Sequence, residues 1–275
     1  MIKLRKRRYM QKRAYVFFPV FSVMMGICGA VFRAVELSRA FDAETGLMEP
    51  GDRSVLVMRL FTVAFIVFAA VLSALLRGKL SDGLHLLSGN DNTLPKTVST
   101  AGSMLLIAAA AFDYVKGRQM LLTSELILML LAVLSAISLI VRMAKPGKDY
   151  AFFSIVPVFW CCFWLILIYR DRSVDPVIEY YVYELFAVVF CTLFFYRLAG
   201  YEFGLRKPRL SVFYGTIAIY LSFVTFLGPV IAKVVYSLPV DHGRSLLYYA
   251  ACGVISLGGL RWITKGISQS QGAAQ

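Results

Sequence analysis

Eight long apolar runs fill most of this chain, at about 14–34, 54–76, 98–115, 120–141, 150–169, 176–197, 209–235 and 245–263. Each approaches the ~20 residues that carry a helix across ~30 Å of hydrocarbon at 1.5 Å per residue. Inside a bilayer every backbone amide and carbonyl must be satisfied by the protein itself, so only helices or a closed barrel can cross. A barrel would show ~10-residue segments of alternating polarity, whereas these runs are continuous. The sequence therefore predicts an all-α polytopic transmembrane helix bundle of about eight spans. Composition agrees, with 59% hydrophobic and only 16% charged residues.

Charge predicts orientation. The segment "MIKLRKRRYMQKR" carries seven basic residues and no acid ahead of the first run. If the runs cross alternately, the side holding that segment collects 19 of the 29 Lys/Arg and four of the 16 acids, a net +15. The opposite side is left at −2. Lys and Arg accumulate in cytoplasmic loops, so both termini are expected to be cytoplasmic, as an even number of spans also requires. The bilayer is the partner this asymmetry implies, with the basic N-terminus also able to touch anionic headgroups. Nucleic acid is not expected, because no aromatic-interleaved basic face accompanies the charge.

The organisation predicted is one integral membrane domain over 1–275. It has a basic cytoplasmic N-terminus (1–13), the bundle (14–263) and a short cytoplasmic tail (264–275). The first run is longer than a signal-peptide core and reads as an uncleaved anchor. The external connection "ELSRAFDAETGLMEPGDR" reads as a structured turn or lid, and "GKLSDGLHLLSGNDNTLPK" as a short helix on the membrane surface. "PVF" recurs in runs one and five, and "RLFTVAF" in run two parallels "ELFAVVF" in run six. Either a parallel 4+4 repeat or chance similarity between apolar segments accounts for this.

Enzyme signatures are missing. The two histidines, His85 and His242, fall in connections predicted on opposite faces, and no nucleophile elbow, P-loop or dinucleotide fingerprint occurs. All five cysteines lie inside runs without a Cys-x-x-Cys pair, so neither disulfides nor structural zinc are expected. No cofactor is called for, and chemistry of the enzymatic kind is not expected.

The informative residues are misplaced charges. Asp175 and Pro176 suit the N-cap and first position of a helix, and Glu179 its positive end. Glu184 differs: it lies about 12 Å into run six at 1.5 Å per residue, where a carboxylate is costly. Arg59 sits at similar depth in run two. A structural Arg59–Glu184 bridge, a solute, proton or ion site, and a lipid-headgroup contact are the three readings. For a site, the candidate residues are Glu184, Arg59, Asp113 and Tyr180, with Glu125, Arg170 and Arg172 also near the external ends. In run seven, Gly228–Pro229 is expected to interrupt the hydrogen-bond ladder as in the discontinuous helices of transporters, and Lys233 to snorkel outward.

Two stretches, "FDAETGL" after run one and "DPVIEYYVYELFAVV" leading to "YRLAGYEFG", resemble uncharacterised multi-pass membrane proteins of Gram-positive, largely anaerobic bacteria. The resemblance implies a bacterial plasma membrane and carries no established activity. The function expected is a small-solute or ion transporter, or a membrane subunit of one, with an outward-facing polar site. The alternative is a non-transporting sensor, assembly factor or complex subunit. Gly26 with Ala30, and Ala132 with Ala136, suit the close helix packing or association such a membrane partner would need.

Overall fold

The computed structural model describes residues 2–41, 51–75, 93–117, 123–144, 148–173, 178–205, 207–238 and 245–273. Side chains are described throughout except at 2–16, 148–150, 178–180 and 266–273. Among these residues there is no β-strand. The elements are α1 (Ile2–Arg39), α2 (Arg53–Leu75), α3 (Thr93–Gly117), α4 (Thr123–Ala144), a 3₁₀ segment (Lys148–Ile155), α5 (Val156–Arg172), α6 (Ile178–Glu202), α7 (Pro208–Tyr236) and α8 (Leu247–Ala273).

Seven of these helices are long and apolar enough to cross a membrane. The eighth, α8, is long enough, but Tyr248, Tyr249, Ser256, Arg261 and three glycines dilute its apolar run. It nevertheless packs among the others, against α3, α7, α1 and α6. The fold is thus an all-α polytopic bundle, and the chain is a multi-pass membrane protein. Of the connection expected to be a turn or lid (36–53), residues 36–39 belong to α1 and 42–50 lie outside the described residues; of that expected to be a surface helix (78–96), residues 93–96 open α3 and 78–92 lie outside them.

α7 is the axial helix. It packs on α1, α8, α6 and α2, and its buried positions run all the way round it. α2 shows the opposite pattern. Its buried residues Val55, Met58, Thr62, Phe65, Ala69 and Ser73 recur every three or four positions, a single stripe facing the bundle. Its outer face carries exposed Leu56, Leu60, Val63 and Val67. A water-soluble helix would place polar residues there, and a lipid-facing one has no reason to.

Lipid tails are as apolar as leucine, so close packing and polar contacts must hold such helices together. The glycines show where. A methyl added at Gly26 would fall 2.8 Å from Phe223 Cβ on α7, and one at Gly102 2.7 Å from Ile255 on α8. Gly26 and Gly102 therefore mark the α1/α7 and α3/α8 seams, two closely packed pairs of the bundle. Ala30, Ala132 and Ala136 are fully buried in the same way. The small residues expected to serve packing or association are used inside the chain.

Candidate functional site

The most buried charges among the described residues were hidden by a helix boundary. The first apolar run ends near residue 34, and Glu36 reads as the start of a polar connection, but α1 continues to Arg39. Both Arg33 and Glu36 are thereby carried inside the bundle. Arg33 Nη1 donates to Glu36 Oε2 at 2.8 Å, and their side chains are 5% and 2% exposed. The spacing of three residues places them on one helical face.

Two aromatic rings flank the guanidinium. Its carbon lies 4.7 Å from the centre of the Tyr183 ring on α6 and 5.8 Å from that of Phe41, which follows α1. Gly228 on α7 lies against its aliphatic stem: a methyl there would sit 2.8 Å from Arg33 Cγ. Contrary to the interruption expected from Gly228–Pro229, α7 is continuous through Tyr236. Proline removes one intrahelical donor, that to the Thr225 carbonyl, without breaking the helix, and Gly228 opens the room that Arg33 fills.

Hydroxyls extend the cluster toward α2. Thr62 and Tyr220 share a hydrogen bond at 2.9 Å, and the Tyr220 ring stacks on Phe65 with centroids 4.3 Å apart. The Tyr183 phenol is in electrostatic reach of Glu36 and Arg33. Acid, base and hydroxyls from α1, α2, α6 and α7 thus converge at one level of the bundle. Such an array can bind a small polar solute or relay a proton by exchanging partners.

The four residues singled out from sequence are distributed differently. Asp113 on α3 accepts from the Ser245 backbone N–H with both oxygens, at 3.1 and 3.2 Å. Glu184 accepts from the Tyr249 hydroxyl at 3.4 Å. Ser245 and Tyr249 are one turn apart, and the Ser245 hydroxyl accepts from Leu247 N at 3.2 Å where α8 begins. Two of the four, Asp113 and Glu184, therefore converge on the N-terminal end of α8, where the helix dipole favours carboxylates. Arg59 stands on the exposed side of α2, which packs on α1 and α7. Tyr180 belongs to α6, and its side chain lies outside the described residues. Glu184 nonetheless borders the buried pair in sequence, because Tyr183, the residue before it, carries the ring under Arg33.

The other charges at this end make short-range contacts. Arg170 donates to Ser124 at 2.6 Å and to Asp171 at 2.9 Å. Arg172 lies over the Tyr181 ring. Lys233 is exposed, as a snorkelling lysine should be. Cys161, Cys191 and Cys252 are buried and reduced, with Cys191 Sγ 3.5 Å from Ser222 Oγ. Among the described residues no group of three or more His, Cys, Asp and Glu is placed to hold a metal ion. His85 and His242 fall outside them.

Architecture and geometry thus define a class, the multi-pass helical membrane protein with a charged cluster inside its helices. No protein-family model matches the chain, and neither a curated protein nor a solved structure matches it.

Proposed function

We propose that the chain is a small-solute or ion transporter, or the membrane subunit of one, working through the Arg33–Glu36 pair. The observation that carries this reading is the burial of both charges inside a helix able to cross the membrane. Well-packed apolar residues of similar volume often hold a fold at least as well as a buried ion pair. Ionisable groups at membrane depth characteristically mark solute, ion or proton pathways. Glu36 is the group that exchanges Arg33 for the solute or proton. Tyr183, Thr62 and Tyr220 supply hydroxyls beside it, and the Gly228 contact gives Arg33 a seat on α7.

Glu184, Arg59, Asp113 and Tyr180 belong in this proposal to the approach from the same end of the bundle. That end is taken as external, with both chain termini cytoplasmic in a bacterial plasma membrane. The uneven division of Lys and Arg supports this placement.

The test is flux through purified protein in liposomes that hold a pH-sensitive dye, under imposed proton, Na⁺ and K⁺ gradients and with labelled amino acids and sugars outside. Flux above protein-free liposomes is expected for at least one of these. Glu36→Gln should abolish it while unfolding as cooperatively as the parent. No flux for any of them, or undiminished flux in Glu36→Gln, defeats the proposal.

A further inference from the structure

At the opposite end of the bundle, a cavity of about 70 Å³ lies between α3, α4, α6 and α8. That is several times the roughly 10–15 Å³ one water requires. Its two sides differ in chemistry. Leu139, Leu198 and Ile255 form an apolar wall, while Lys96, Arg142 and Glu202 stand at its charged side. All of this lies where α3 begins and where α4 and α6 end, a level that brings apolar interior and polar boundary together.

Arg142 is built in. Its Nε and Nη2 both go to one oxygen of Glu202, Oε1, at 2.9 and 2.7 Å. The guanidinium carbon lies 5.6 Å from the centre of the Trp262 ring. The side chains of Arg142 and Glu202 are 14% and 6% exposed. A guanidinium has five N–H donors in a fixed fork, and among the described residues the Nη1 edge is engaged by none of these contacts. Lys96 lies in the first turn of α3, whose amides add positive potential. Two cations and a helix N-terminus face one carboxylate, so the cavity is left short of negative charge.

We propose that this cavity binds one anionic phospholipid, its phosphate between Lys96 and the Nη1 edge of Arg142 and one acyl chain along Leu139, Leu198 and Ile255. Glu202 is a positioning residue: it fixes the fork of Arg142 and leaves the other edge for the phosphate. A free anion would leave the apolar wall uncovered. A neutral lipid would leave the cationic excess unmet. Basic pockets between membrane helices on the positively charged side are a recognised form of lipid recognition, and this is the end at which the Lys and Arg of the chain accumulate.

Trp262 supplies the readout. Trp160 and Trp164 are fully buried among other side chains, whereas Trp262 lines the cavity. Purified protein in micelles is titrated with phosphatidylglycerol or phosphatidylcholine bearing dibrominated chains, and tryptophan fluorescence is followed, with Trp262→Phe as background. The brominated phosphatidylglycerol should quench several-fold more than the phosphatidylcholine at equal mole fraction. Lys96→Gln should remove that difference without lowering the melting temperature. Salt near 1 M, where the screening length is only ~3 Å, should shrink it in the unsubstituted protein. Equal quenching by the two lipids, or a preference unchanged in both Lys96→Gln and high salt, overturns the proposal. Full reversal by glycerol phosphate overturns it too, because the site then reads a free anion.

Discussion

Replacing Arg33 by Met or Glu36 by Leu breaks a pair whose side chains are 5% and 2% exposed. At 2.8 Å two unit charges attract by about 6 kcal/mol at an effective dielectric of ~20, and desolvation opposes much of it. Removing one partner strands the other charge, a loss of about 3–5 kcal/mol in folded proteins. Glu36→Leu strands the guanidinium beside the Tyr183 ring, a contact the parent already has, so a loss of about 3–5 kcal/mol is expected. Arg33→Met strands the carboxylate and also gives up that ring contact, so its loss should be at least as large. The double substitution deletes both charges and should lie within about 1 kcal/mol of the parent, or above it. Reversible unfolding in mixed detergent and dodecyl sulfate micelles, followed by tryptophan fluorescence, measures all four corners of the cycle. Losses below about 0.5 kcal/mol that simply add would mean that water reaches the pair, and the reasoning from burial to a specialised role would fail with it.

Gly228→Ala sets a helix-propensity gain of about 1 kcal/mol against overpacking of about 1–3 kcal/mol where a methyl meets Arg33 Cγ at 2.8 Å. A net loss is expected in the same unfolding assay, and a stabilised protein would show that the Arg33 stem moves aside freely. Asp113→Asn keeps an acceptor for the Ser245 amide but loses a charge worth up to ~2 kcal/mol at a helix N-terminus. Hydrogen exchange should accelerate at residues 245–247, and unchanged protection there would remove Asp113 from that role. Asp52 accepts from the Ser54 backbone N–H at 2.6 Å, and that bond holds its carboxyl below the usual range. Its stabilisation is therefore complete above the unfolded value of about 3.9 and fades as pH falls through the lower folded value. Carboxyl-carbon NMR should show that depressed midpoint, and an ordinary one would contradict the hydrogen bond from Ser54.

The helices were legible because each apolar run is long, continuous and bounded by charge, and the bilayer leaves such a run only one secondary structure. Which side of each helix faces inward was less so, since a lipid-facing side is as apolar as a buried one. α2 betrays its inner stripe only through Thr62 and Ser73 among larger apolar residues. Arg33 lies at the edge of the first run and Glu36 opens the connection after it, so neither reads as a buried charge. A spacing of three on a helix that continues to Arg39 was the available signal. Glu184 stands out in the sequence as a carboxylate inside an apolar run, but the hydroxyl it meets, Tyr249, is 65 positions away and becomes a neighbour only when α8 enters the bundle. Gly228–Pro229 suggested a break. The helix runs on because losing one donor does not break it, and Gly228 serves instead as the seat of Arg33, a contact that a local reading of α7 does not contain.

The dilution of α8 has a consequence for how the protein is made. Seven helices can each partition into lipid on their own hydropathy as they emerge, but α8 reaches its place with less help from the bilayer. Its glycines and hydroxyls suit a groove lined by α3 and α7, which must already be in place to receive them. The seam between α3 and α8 therefore closes late, joining segments synthesised more than a hundred residues apart. Asp113 and Glu184, waiting at the mouth of that groove, are placed to catch the leading turn of the arriving helix.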